Sequence, residues 1–235
     1  SSKNYDEYVR ALAGDFLAEK FFTRYPEKLW GLKTDKLSAR FAPRRIEIRD
    51  TRRPFHAGPG RFAGVLEGGC GILAEALLSR VTSLNGSLSL RGEVQGLEVN
   101  HGNSSVISVR MSDGKEIAGD DIVVVSTLPI TKNAAFFGIE TTLYFRSILT
   151  VNIVYEGEEC FPKKYDWLYF DDMDIPFHRV GLQTRFSRKG VPANHHILCC
   201  EVVFEGLLEE DELSAIEAKC ISNLKAMNFL ADVRI

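Results

Sequence analysis

The chain lacks the features that mark a membrane span, a nucleic-acid binder or a disulfide scaffold. No apolar run reaches the ~20 residues that a bilayer-crossing helix needs, and the first residues carry no secretory leader pattern. Lys and Arg number 29 against 32 Asp and Glu, a formal charge of −3, whereas a dedicated nucleic-acid binder carries a basic excess. The five cysteines, Cys70, Cys160, Cys199, Cys200 and Cys220, are odd in number and irregularly spaced. They read as reduced thiols of a cytoplasmic protein rather than a disulfide framework. No internal repeat and no low-complexity linker interrupts the chain.

Metal sites fare no better. "HHILCC" (195–200) invites one, but on a strand His196 and Cys200 stand about 13 Å apart, whereas zinc ligands lie about 2.0–2.3 Å from the ion. Cys199 and Cys200 point to opposite faces of the same strand. "DDMD" (171–174) lacks the following oxygen ligands of a calcium loop and reads as a polar turn. No nucleophile–base constellation stands out either.

What is present is an ordinary globular composition: 235 residues, 45% hydrophobic and 26% charged, enough for one large domain or two small ones. Residues 5–24 place Tyr5, Tyr8, Val9, Leu12, Phe16, Leu17 and Phe21 at helical spacing, behind a capping-box-like Asn4 and Glu7. Residues 25–66, broken by prolines and glycines, read as loop. A helix over 71–82 is expected to bury Ile72, Leu73, Ala76, Leu77 and Val81. From residue 88 the period changes to two, with strands in "SLSLRGEVQGLEV" and "SVISVRM" and a hairpin turn at Asp113-Gly114. The unbroken Ile122–Val125 run predicts a strand covered on both faces. Further strands are expected at about 144–155, 166–170, 177–186 and 196–204. A helix over 211–227 presents Leu213, Ile216, Cys220, Leu224 and Met227 on one face, behind the acidic start Glu209–Glu212. The sum is an α+β fold: a mostly antiparallel or mixed sheet with flanking helices.

Two stretches bear on chemistry. Gly69-x-Gly71-x-x-Ala74, with Glu93 downstream, outlines a dinucleotide-binding turn. That fingerprint needs a buried strand feeding the first glycine. The preceding "PFHAGPGRFAGVLE" holds two prolines and three glycines and cannot form one, so the glycines read as a flexible lead into a helix. Residues 40–61 hold seven arginines (Arg40, Arg44, Arg45, Arg49, Arg52, Arg53 and Arg61) and no lysine. Guanidinium groups suit bidentate contacts to phosphate or carboxylate, and Tyr25 and Trp30 lie close in sequence as candidate stacking surfaces. The same arginines could instead form a solvated face paired with Glu47 and Asp50.

"YPEKLWG" (25–31) resembles the Tyr-x-Glu-Lys-x-Trp-Gly signature of UDP-galactopyranose mutases and their relatives among FAD-dependent, amine-oxidase-like flavoproteins. "RIEIR" (45–49) followed by "EGGCGILAEALL" is similar to that family's Arg-x-x-x-Arg segment and glycine-led helix. "PFHRVGLQTRFSRKGVP" (176–192) is similar to its arginine-bearing strand. The resemblance implies the substrate-domain portion of such a flavoprotein, acting on a nucleotide sugar or another anionic small molecule in polysaccharide biosynthesis. It implies substrate-binding roles for Tyr25, Trp30, Arg49 and Arg179, and FAD contacts for Val94, Ser126 and Thr127. The family's glycine-rich FAD turn and its later Gly-Asp motif have no counterpart here, so FAD is expected to belong to the full-length protein and not to be held by this chain alone. On this view residues 1–87 form a helical, loop-rich substrate-binding part and 88–130 a hairpin part that would contact FAD. Residues 131–235 form the strands and last helix of the substrate domain. An amine-oxidase- or protoporphyrinogen-oxidase-like oxidoreductase and a non-enzymatic binding domain stay open as alternatives.

Overall fold

The computed structural model describes residues 2–40, 46, 64–100, 105–119, 122–143 and 145–230. The chain divides into two units, one of Ser1–Leu73 with Arg146–Ile235 and one of Ala74–Phe145.

In the first unit, helix α1 (Tyr5–Leu17) starts where the sequence places it. Asn4 Oδ1 accepts the Glu7 N–H at 2.9 Å, and the Glu7 carboxylate accepts the Lys3 N–H at 2.8 Å. The expected single helix to residue 24 is interrupted. Gly14 takes φ 78° and ψ 163°, a conformation that only glycine adopts readily, and the chain resumes as a π-helical stretch, Ala18–Thr23. Residues 25–30, expected as loop, are also helical: α2 spans Arg24–Trp30. Pro26 sits in its first turn, where a missing N–H breaks no helical bond. Gly31, left-handed at φ 66°, closes the helix, its N–H donating to the Glu27 carbonyl. Tyr5, Val9 and Ala18 form a small buried cluster beneath Tyr8, Phe22 and Leu37.

The larger core lies on a four-stranded antiparallel sheet of β4 (Ser147–Glu156), β5 (Trp167–Tyr169), β6 (Arg179–Leu182) and β7 (His195–Phe204), in the order β4-β7-β6-β5. Val180, Leu182, Leu198, Cys200 and Val202 are buried with Cys220 and Leu224 of helix α5 (Glu210–Ala226). The two α5 residues are four apart, on one face. A capping box between Glu209 and Glu212 starts this helix.

The second unit holds an antiparallel meander of β1 (Val94–Asn100), β2 (Ser105–Met111) and β3 (Glu116–Ala118), turned at Asp113-Gly114, and helix α4 (Ile130–Phe136). Helix α3 (Gly71–Ser83) leads into it. Two expectations need correction here. No residue of α3 is buried, and Leu73, Leu77 and Val81 are exposed. Residues 122–125 form no strand, and Val123 and Val125 are 86% and 85% exposed. Both segments have the composition of covered elements, but among the described residues no strand pairs with 122–125 and nothing buries the apolar face of α3.

Candidate functional site

The register of the sheet sets one row of side chains. Tyr169 of β5 stands opposite Arg179 of β6, and Arg179 stands opposite Glu201 of β7. Residues paired in this way share a face and touch. Arg179 donates from Nε at 2.9 Å and from Nη2 at 2.5 Å to Glu201 Oε1, and its guanidinium carbon lies 5.9 Å from the Tyr169 ring centre. The bond to Glu201 holds the Arg179 pKa above its usual value. His178, just ahead of β6, continues the ladder: its N–H donates to the Glu201 carbonyl, and its carbonyl accepts from the Phe170 N–H, both at 2.9 Å.

Helix α2 brings a second set of groups to this row. The Tyr25 hydroxyl lies 3.1 Å from His178 Nδ1, and its ring meets Tyr169 edge-on at 5.4 Å. One helical turn on, Lys28 Nζ donates to the carbonyls of Asp172 at 2.6 Å and Phe177 at 2.8 Å, pinning α2 to the strand connection. Burial pushes the Lys28 ammonium down to about 8, against the opposing pull of Asp172 and Asp171. Burial also lowers the His178 pKa; Glu201 opposes this, while Arg179 and Lys28 add to it. The ring is therefore neutral at pH 7. The arrangement assigns its Nδ1 as acceptor of the Tyr25 proton, leaving its own proton on Nε2, 3.6 Å from Glu201 Oε2.

Tyr25 and Tyr169 line a cleft of about 670 Å³ that also takes in Trp30, Leu29, Lys20 and Asp171. Beside Trp30, the guanidinium of Arg146 rests against Gly31, where any Cβ would collide with Arg146 Nη1. The Nε of Arg146 is buried and has no hydrogen-bond partner among the described residues.

Of the residues named from sequence, Tyr25 and Trp30 therefore line one cleft, and Arg179 joins Tyr25 through Tyr169 and through the His178–Glu201 pair. Arg49 lies outside the described residues, as do Arg44, Arg45, Arg52, Arg53 and Arg61; Arg40 is exposed. Val94, Ser126 and Thr127 belong to the second unit. Val94 opens β1 opposite Met111, Thr127 is exposed, and Ser126 Oγ accepts the Leu128 N–H at 3.4 Å. At the glycine turn, the Gly68 N–H donates to Ser187 Oγ at 3.2 Å and the Gly69 N–H to the Leu66 carbonyl at 2.9 Å. Irregular chain, not a strand, precedes that turn over 64–66. Sequence reasoning did not single out Tyr169, His178, Glu201 or Arg146. The adjacency of His178 to Arg179 was a usable signal; the other three depend on pairings between distant segments.

Fold and site together define an antiparallel α+β domain with an aromatic cleft backed by an arginine–glutamate pair. No family model matches the sequence, and no curated protein does. Among solved structures, a reduced UDP-galactopyranose mutase matches it with a TM-score of 0.75 and 20% identity over 99% of this chain. The chain spans about half of that protein, 54% of its length. At this identity the likeness is one of fold.

Proposed function

We propose that the chain is the substrate-binding portion of an FAD-dependent, UDP-galactopyranose-mutase-like protein, and that its cleft takes a nucleotide sugar. The observation that carries this reading is the meeting of Tyr25, Trp30 and Tyr169 around one cleft of about 670 Å³; Arg179 stands over the Tyr169 ring and Arg146 rests against Gly31, next to Trp30 in the chain. That volume suits a small-molecule site. Flat aromatic faces suit a base, and guanidinium groups suit a diphosphate. Arg179 already shares its charge with Glu201. Arg146, with no carboxylate partner among the described residues, is the stronger diphosphate contact.

FAD would supply the bond-making chemistry in the longer protein. The glycine turn at 68–69 is not arranged as its cradle: Gly68 and Gly69 spend their N–H groups within the chain, and among the described residues 64–66, directly ahead of the turn, are irregular chain rather than strand. The chain's own contribution is to bind and orient the substrate and to exclude water from one side of it.

Tryptophan fluorescence tests the reading. The chain has two tryptophans; Trp167 stacks on Phe186 at 5.8 Å, so Trp167→Phe isolates Trp30. UDP and UDP-galactose are expected to quench Trp30 saturably, with Arg146→Ala weakening both by about tenfold. Uridine binding as tightly as UDP, or no saturable quench, would overturn the proposal. Saturation by an aromatic carboxylate instead would favour the amine-oxidase-like alternative.

A further inference from the structure

We propose that His178 is a positioning residue that couples the aromatic wall of the cleft to the Arg179–Glu201 pair, and that it strengthens the hold on an anionic ligand when it takes up a proton. The proposal rests on the nucleotide-sugar reading of the cleft.

The geometry carries it. His178 is buried, its side chain 5% exposed, with one ring nitrogen toward Tyr25 and the other toward Glu201. The groups that face it are Tyr25 and Lys28 from α2, Arg179 beside it on the chain, and Glu201 from β7. Glu201 is divided between two neighbours: Oε1 takes both Arg179 N–H groups, and Oε2 faces His178 Nε2. Among the described residues Nε2 has no hydrogen-bond partner; its distance to Oε2 is 3.6 Å, just beyond hydrogen-bond range.

A proton added to the neutral ring enters at Nδ1, the position that accepts from Tyr25. Two changes follow. The Tyr25 oxygen becomes the acceptor of Nδ1–H, so its own proton turns away from the ring. The imidazolium also draws Glu201 Oε2 into an ion pair, and the carboxylate that had neutralised Arg179 is now shared between two cations. Net charge at the row rises by one, and the guanidinium is released in part toward a ligand. By linkage, a bound anion raises the pKa of His178 by the same coupling. The residue acts through Tyr25 and Arg179.

Calorimetric titration of the chain with UDP-galactose at pH 7.5 and pH 5.5 tests this. The diphosphate diester keeps its two negative charges across that range, so the ligand itself does not titrate. Wild type is expected to bind about threefold to tenfold more tightly at the lower pH, and His178→Gln, which keeps a polar side chain but cannot charge, is expected to bind equally at both. A pH-independent wild-type affinity, or an unchanged pH dependence in His178→Gln, overturns the inference and leaves the nucleotide-sugar reading standing. If UDP-galactose binds at neither pH, that reading fails and imidazole NMR decides the coupling by itself. With the five histidines assigned through His178→Gln, Glu201→Gln must lower the His178 titration point; a titration point that does not move overturns the inference.

Discussion

The Tyr25 hydroxyl meets His178 Nδ1 at 3.1 Å, joining helix α2 to a residue 153 positions further along the chain. That nitrogen belongs to a buried ring, and the hydroxyl that reaches it comes from the half-buried Tyr25. Tyr25→Phe keeps the ring packing against Tyr169 and removes only the hydroxyl. It is expected to cost about 1–2 kcal/mol of stability, read as a lower urea midpoint with an unchanged slope.

Acid should loosen the fold through the same histidine. Its pKa is lowered in the folded state, chiefly by burial, so the unfolded chain binds its proton first, near pH 6.5. Below that pH the unfolded state holds more protons than the folded one, and stability falls as pH falls toward the folded pKa. Thermal unfolding at pH 7.5 and 5.5 should show a drop in Tm that is smaller in His178→Gln. The contribution of this group is fully present above the unfolded value.

Gly31 is needed twice over, for its φ of 66° and for its contact with Arg146. Gly31→Ala is expected to destabilise by about 1–2 kcal/mol from the backbone conformation alone, and further by displacing the guanidinium. Adding Arg146→Ala should recover the second part and leave the first, which a double-mutant cycle on the urea midpoints measures.

The core and the cleft should separate cleanly. Leu224 of α5 is fully buried against the sheet and lines none of the cleft. Leu224→Ala is expected to cost about 2–4 kcal/mol while leaving UDP affinity unchanged in the folded fraction.

What the sequence revealed was local. The Asn4 cap, the Asp113-Gly114 hairpin, the strands β4 and β7 and the Cys220/Leu224 face of α5 each follow from residues within a turn or two of one another. Helix α2 was missed because Pro26 and the prolines and glycines further along 25–66 read as breakers of the whole segment, although Pro26 sits in a first turn, where it is tolerated. The apolar patterns at 71–82 and 122–125 were read as buried because composition reports what an element suits, not what lies beside it. In the cleft, the signature motif named Tyr25 and Trp30. Tyr169 and Glu201 became visible only once β5 and β7 were seen to flank β6, a non-local pairing that no short window contains.

The alignment of Tyr169, Arg179 and Glu201 across three strands has a practical consequence. Side chains in a sheet alternate faces, so shifting any of these strands by one position would turn its member of the trio to the far side. The row that carries Tyr169 into the cleft can be kept or lost but not adjusted by degrees. The helix above it is under no such rule, and Tyr25, Leu29 and Trp30 can be exchanged one at a time. A laboratory seeking a new ligand preference should diversify those three positions and leave the strands untouched.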